Sequence, residues 1–474
     1  MNITTPPLAR AAGRALAALS LTTLLSSLGT SIANVALPAL ALAFDATFQH
    51  VQWVVLAYLL AVTTLVVSVG RLGDLVGRRR LLVGGILLFT LASGLCALAS
   101  ELWQLIAARA LQGLGAAAMM ALSMAFVAAS VPKAKTGSAM GLLGAMSAAG
   151  TALGPTLGGA LLGLAAWPAV FGVTVPLGLL AALLAQRFLP ADHPAGAAPR
   201  PHFDHLGTLL LALTLAAFAT AMTTGRGDFG WLNASLLLCA GAGAVVFVLS
   251  QKKARSPLIR LAMFSDAALG AGFVASALVT TVVMATLIVG PFYLGGALAL
   301  DAGQTGLAMS AGPLVAAVAG FPAGRLVDRL GAHRMSLSGL AAMLAGAAAL
   351  PLLAARYGVP GYVGPLAMLT AGYALFQAAN NTAVMAAACQ DQRGVVSGLL
   401  NLSRNLGLIT GASAMGAVYA LGVAASGLPA ADPGAVTGGM QAAFGAAAVL
   451  ILAAFAIVHL GRPLPGAART GSAG

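Results

Sequence analysis

The sequence predicts an all-α integral membrane protein: two pseudo-symmetric six-helix bundles plus two inserted helices, fourteen transmembrane helices in all. Three observations carry that expectation. The 474 residues are 60% hydrophobic and only 7% charged, whereas soluble domains carry roughly 25% charged residues. The segments between charged clusters are each close to the length of about 20 apolar residues that a helix needs to cross a bilayer. Finally, one short connector occurs twice, as GRLGDLVGRRR from Gly70 to Arg80 and as GRLVDRLGAHR from Gly324 to Arg334. Gly70, Arg71, Asp74, Gly77 and Arg80 align with Gly324, Arg325, Asp328, Gly331 and Arg334. A connector repeated between apolar runs marks a chain built from two related halves.

In chain order the apolar runs place spans at 15–38, 51–70, 81–100, 104–127, 138–163, 168–188, 206–224, 231–250, 268–292, 305–324, 336–355, 361–385, 395–422 and 441–460. Long runs without strand alternation favour helices over a barrel. With the N-terminus on the cytoplasmic side, this map leaves only Arg226 and Arg356 in outer loops, and Arg109 and Arg404 inside spans. The other basic residues, among them Arg78, Arg79, Arg80, Lys133, Lys252 and Arg462, fall on the cytoplasmic side, as the positive-inside rule requires. Both termini are therefore expected to be cytoplasmic. The two connectors lie eight spans apart, which is six plus two. The expected division is a first bundle at 1–190, linkers and two extra helices at 191–262, and a second bundle at 263–474.

Composition also excludes classes of function. The net charge of +13 comes from loop residues between spans, so it sets orientation and does not mark a nucleic-acid surface. Cys96, Cys239 and Cys389 lie in or beside apolar runs without ligand spacing, and the six histidines form no compact set. No metal or other cofactor is expected. No GxxxxGK[ST] sequence is present, so the energy source should be an ion gradient.

Within the spans, polar residues mark candidate sites. Glycines such as Gly70 and Gly77 let the connector turn tightly at the membrane surface. Asp74, repeated as Asp328, is expected at the start of the following helix, where the positive dipole end favours a carboxylate; with Arg71 and Arg325 it is a candidate gate. Arg109 sits in an apolar run, where an ionised side chain must be paired, hydrated or facing a cavity. Gln112 lies one turn further on nearly the same face. Gly150, Gly154, Gly158 and Gly159 with Pro155 give the fifth span a small-residue surface suited to close helix packing or to a seal against a cavity. Asn34, Trp53, Tyr58, Met119, Met120, Phe292, Tyr293, Gln377, Asn380, Asn381, Asn401, Arg404 and Asn405 are candidates to line a central amphipathic cavity. Aromatic and methionine side chains serve helix packing equally well.

These residues give the chain a specific resemblance. Gly70–Arg80 is similar to the loop between the second and third helices of the major facilitator superfamily. Arg109-Ala-Leu-Gln-Gly113 resembles its fourth-helix motif, and Gly150-Thr-Ala-Leu-Gly-Pro-Thr-Leu-Gly-Gly159 the fifth-helix motif of its exporters. Asn34-Val-Ala-Leu-Pro38 and Gln52-Trp53 with Tyr58-Leu-Leu60 resemble signatures of the fourteen-helix drug:proton antiporter branch. The resemblance implies proton-coupled export of drugs or antibiotics from the bacterial inner membrane, with Arg109 associated with proton coupling. It implies a small lipophilic substrate and no enzymatic reaction. The chain is expected to act as a monomer; a periplasmic adaptor is compatible with this reading, although no segment marks a site for one. Two departures stand out. The branch carries an aspartate where this chain has Gly29, and none of the eleven acidic residues falls clearly inside a span. Both favour an uncharged, zwitterionic or weakly anionic substrate over a permanent dication.

Overall fold

A computed structural model describes residues 7–130, 136–192, 204–224, 230–254, 257–258, 267–387, 393–429 and 432–460. Every regular element among them is helical. The first group comprises α1 (Pro7–Ala43), α2 (Phe48–Val76), α3 (Arg78–Ala97), α4 (Leu102–Ser130), α5 (Thr136–Leu164), α6 (Pro168–Gly172) and α7 (Thr174–Phe188). An inserted pair follows, α8 (His205–Thr223) and α9 (Trp231–Lys253). The last group is α10 (Ala267–Gly296), α11 (Ala302–Leu330), α12 (Ala332–Ala387), α13 (Arg393–Thr410), α14 (Gly416–Ala425) and α15 (Pro433–Leu460), with a π-helical turn at Gly411–Met415 joining α13 to α14. Among the described residues eleven helices are long and apolar enough to cross a membrane, or twelve if the bent α11 is one span.

The 56 residues of α12 would reach about 84 Å as one straight rod, nearly three bilayer cores. The chain instead breaks at Gly358, whose φ of 61° is open to glycine at no steric cost. The two arms run back along each other. Gly339 lies against Gly372 and Phe376, Gly346 against Pro365 and Leu369, and Gly361 against Leu353. Glycine is needed at these positions because backbone meets backbone there.

The connectors are helix–glycine–helix junctions. Gly77 (φ 105°, ψ 125°) ends α2, and Gly331 (φ 87°, ψ 143°) ends α11, so the repeated sequence makes a repeated geometry. The repeat extends beyond it. Gly85, eight residues past Gly77, packs on Ala118 and Gly115 of α4; Gly339, eight past Gly331, packs on Gly372 in the second arm of α12. Helices α3 and α4 in the first group thus correspond to the two arms of α12 in the last.

The junction geometry corrects one expectation. Asp74 and Asp328 lie in the last turns of α2 and α11, not at the start of the next helix. The helical path continues through each aspartate until the positive-φ glycine three residues later. The N-terminus of α3 is served by a residue far away in sequence. Asp192, just beyond α7, accepts from the backbone N–H groups of Arg79 (2.8 Å) and Arg80 (3.1 Å), which is how a carboxylate caps orphan donors and the dipole.

The inserted pair lies against the first group. Trp53 Nε1 donates to Thr223 Oγ1 at 3.0 Å near one end of α8, and Ser68 and Thr208 share a hydrogen bond of 3.0 Å near the other. Asp204 caps α8 and accepts from Gln251 Nε2 at 2.8 Å, joining the start of α8 to the end of α9.

Candidate functional site

Arg109 is the largest fully buried side chain among the described residues. α4 carries it into the interior, and four neighbours receive it. Its Nε donates to Val54 O at 2.8 Å, and an Nη1 hydrogen goes to Gln112 Oε1. Gln112 in turn donates to Ser93 Oγ at 2.7 Å, which donates to Phe89 O at 2.7 Å. The guanidinium lies over the Tyr58 ring, 4.3 Å from its centroid, with Phe171 at 5.8 Å; ring faces attract a cation, more so where water is excluded. Tyr58 is itself fixed by donating to Ser26 O at 2.7 Å. This chain of contacts ties α1, α2, α3 and α4 to one cation. Nη2 is buried without a hydrogen-bond partner, a costly state for a charged group.

Gly29 lies close to this cluster. A Cβ at Gly29 would lie 3.0 Å from the Phe89 ring and 3.3 Å from Tyr58 Oη. Position 29 thus borders the Arg109 cluster, and a carboxylate there would be beside it. With glycine, no carboxylate is among the hydrogen-bond partners of Arg109.

The second feature is a seal between the two groups, at the end of the molecule opposite Gly77 and Gly331. Phe48 packs edge-on against Phe292 (centroids 4.6 Å) and, with its ring tilted, against Tyr419 (5.1 Å), joining α2, α10 and α14. Gln52 Nε2 donates to Ala412 O at 3.2 Å, a carbonyl within the π-helical turn, where the widened turn displaces the normal ladder. A Cβ on Gly159 would stand 2.7 Å from Gly306 Cα, and one on Gly306 would stand 2.5 Å from Pro155 O. α5 and α11 touch there backbone to backbone.

The remaining glycines of the fifth-helix stripe face elsewhere. Gly150 meets Leu24 and Ser27, Gly154 meets Ser31 and Ile32, and Gly158 meets Val35 and Ile32. Three of the four dock α5 on α1 within the first group, and only Gly159 crosses to the other. Pro155 is buried in the same helix.

The other candidates scatter. Asn34 is buried, donates to Thr30 O and Ser31 O on its own helix, and leaves Oδ1 unpartnered. The indole N–H of Trp53 turns to Thr223 of the inserted pair. Met119 is buried in the first-group core, with Met120 half-buried beside it. Phe292 belongs to the seal, and Tyr293 stacks on Tyr362 at 6.2 Å. Asn380 donates to Gly272 O at 3.1 Å, while Asn381 and Asn401 are half-buried. Gln377 Oε1, Arg404 Nε and Asn405 Nδ2 are buried atoms without partners. Arg325 and Asp328 are exposed and Gly324 half-buried. The side chains of Arg71 and Asp74, and the surroundings of Gly70, lie outside the described residues. Phe48, Tyr419 and Gly306 were not singled out from sequence, and Gln52 only as part of a helix signature, because a seal is made by pairing across elements that no local pattern reveals.

Comparison with known proteins places this geometry in a family. Residues 19–412 match the model of the Major Facilitator Superfamily. The chain is similar to a protein of Escherichia coli (strain K12) named Uncharacterized transporter YebQ, 34% identical over 81% of this chain and 84% of that one. It is 31% identical to the Multidrug resistance protein Stp of Mycobacterium tuberculosis (strain ATCC 25618 / H37Rv), over 83% of this chain and 73% of that one. The Riboflavin transporter RibZ of Clostridioides difficile (strain 630) is 29% identical over 84% and 86%. Among solved structures, an inward-facing, unoccupied bacterial homologue of the human lysosomal transporter Spinster has a TM-score of 0.71 at 16% identity, covering 96% of this chain and 97% of its own. The fold, the repeated connector and these matches agree: the chain belongs to the Major Facilitator Superfamily and is a multi-pass membrane transporter, not an enzyme.

Proposed function

We propose that this transporter exports small lipophilic drugs or antibiotics across the cytoplasmic membrane, driven by proton entry. Two six-helix bundles, 1–190 and 263–474, rock about a central site. Fourteen spans follow if α5, α11 and each arm of α12 cross once and α13–α14 cross together, with both termini in the cytoplasm. The observation that carries this reading is the seal itself: Gly159 against Gly306, with Phe48, Phe292 and Tyr419, closes one end between the bundles. Such contacts are small and cross-bundle, so they can part as a unit. Export is favoured over uptake by the fifth-helix motif and by relatives named multidrug resistance proteins. Arg109 is assigned to coupling, as the buried cation that a change in proton or substrate occupancy would act upon.

Proteoliposomes test this directly. Adding lipophilic compounds in turn should drive proton movement with the native protein and little with Arg109→Ala. Compound flux that persists after the proton gradient is collapsed would contradict proton coupling. A second reading, a dedicated exporter of one metabolite, is favoured by the relative named a riboflavin transporter; activity confined to one compound in the same screen would select it.

A further inference from the structure

The internal repeat says what the second bundle holds where the first holds Arg109. The two connectors are 254 residues apart in sequence, so Tyr58 on α2 corresponds to Gly312 on α11. Gly115 packs on Gly85 and Phe89, as Gly372 packs on Gly339 and Met343. That equivalence matches Arg109 on α4 with Leu366 on the second arm of α12, and Gly113 with Thr370. The contacts agree with the alignment. A Cβ at Gly312 would lie 3.1 Å from Thr370 Oγ1 and 3.5 Å from Leu366 Cγ, just as Tyr58 lies against Arg109 and Gly113. A tyrosine ring and a guanidinium in one bundle are therefore a hydrogen atom and an isobutyl group in the other.

The volume those groups would fill is open. A cavity of about 80 Å³ lies at Gly312 and Leu366, walled by α10, α11 and α12, with Thr151 of α5 contributed by the first bundle. Among the described residues, no Asp, Glu, Lys, Arg or His lines it. Its polar groups are hydroxyls: Tyr362, Tyr373, Thr286, Thr370 and Thr151. The three threonines donate to their own helices, to Val283 O, Leu366 O and Ser147 O, which leaves their lone pairs free to accept. Tyr362 is 1% exposed and its hydroxyl has no partner. A buried hydroxyl without a partner is costly, and an acceptor supplied to it removes that cost. The cavity is smaller than the roughly 150 Å³ that holds benzene in an engineered apolar core, so it takes one end of a molecule, not the whole.

We infer that this pocket binds the uncharged, hydrogen-bond-accepting end of the transported molecule, such as an acyl or amide carbonyl, with Tyr362 as donor. The inference rests on the reading of the chain as an exporter only for its direction of transport. A cation is disfavoured by this largely apolar lining, whose polar side chains among the described residues are hydroxyls, because an ionised group there would be desolvated without a counter-charge. Thr151 gives the pocket a wall from the opposite bundle. When α5 moves against α11, that wall is withdrawn and the ligand loses part of its enclosure.

The neutral naphthyl ketone Prodan is a suitable probe, because its emission shifts to the red when its carbonyl accepts a hydrogen bond and its propionyl end suits the cavity. Protein in lipid nanodiscs should bind it with red-shifted emission after subtraction of empty nanodiscs. Tyr362→Phe should shift the bound emission to the blue and weaken binding by about two- to tenfold, the loss of one buried hydrogen bond. Gly312→Leu, which refills the cavity, should abolish binding, and tetraphenylphosphonium should not displace the probe. Absence of binding to the native protein, displacement by tetraphenylphosphonium, or identical spectra and affinity for native and Tyr362→Phe protein would each overturn the assignment. Binding as described without any transport in vesicles would support the pocket and remove the export reading. Unchanged export and binding in Gly312→Leu would remove the pocket and leave export standing.

Discussion

At the residue scale the chemistry concentrates on Arg109. Its three polar contacts are to a carbonyl, an amide and an aromatic face, none of which carries a full negative charge. The site therefore holds the cation by geometry more than by charge. Two substitutions separate those roles. Tyr58→Phe keeps the ring under the guanidinium and removes only the bond to Ser26 O, so it should cost about 1 kcal/mol of stability and leave most of the flux. Arg109→Ala removes hydrogen bonds to a charged donor worth about 1.5–3 kcal/mol, and flux should fall by about ten- to a hundredfold. Thermal unfolding and vesicle flux, measured side by side, check both. Equal flux losses in the two variants would mean that the phenol, not the cation, is the working group. Much of this was legible beforehand: an arginine within an apolar run, with a glutamine three residues on, is visible in one dimension. That Val54 O and the Tyr58 ring complete the site was not, because they come from a different helix.

At the element scale, the fifth-helix stripe divides into two functions that sequence could not separate. Glycines four apart share a face, but Gly159 stands one residue off the row of Gly150, Gly154 and Gly158 and meets a different partner. Gly154 lies against Ser31 and Ile32 of α1, inside one bundle, whereas Gly159 lies against Gly306 of α11, between bundles. Overpacking costs about 1–3 kcal/mol at either place, yet its destination differs. Gly154→Val should lower the unfolding temperature. Gly159→Val should leave folding nearly intact and shift the balance between the two access states by about 5- to 150-fold away from the sealed form, seen as faster thiol labelling of a cysteine at position 48. Equal unfolding losses with unchanged labelling would show that the Gly159 contact does not gate. The connectors carry a related lesson. Their repetition was plain in sequence, but the position of each aspartate relative to the helix break was not, because the break is set by glycine φ at 77 and 331. The capping role then fell to Asp192, more than a hundred residues later, a partnership that only the packing of α7 beside α3 creates.

At the scale of the whole molecule, the repeat organises fold and site together. It predicted two related halves from eleven aligned residues, and it relates the Arg109 cluster of one half to the hydroxyl-lined cavity of the other. The halves have diverged so that one holds a charge and the other holds space. The inserted pair lies against the first group along α2 through Trp53 and Ser68, so it should move with that bundle. Alternating access requires the seal to open in every cycle, and cross-linking tests that requirement. In a protein with its native cysteines replaced, Phe48→Cys and Tyr419→Cys would be joined by a short cleavable bifunctional thiol reagent, across rings now 5.1 Å apart, and transport of Prodan followed in vesicles. Rocking bundles predict that flux stops in the cross-linked protein, returns when the linker is cleaved, and is unaffected by the reagent in either single-cysteine protein; undiminished flux through the cross-linked protein would contradict alternating access at this seal.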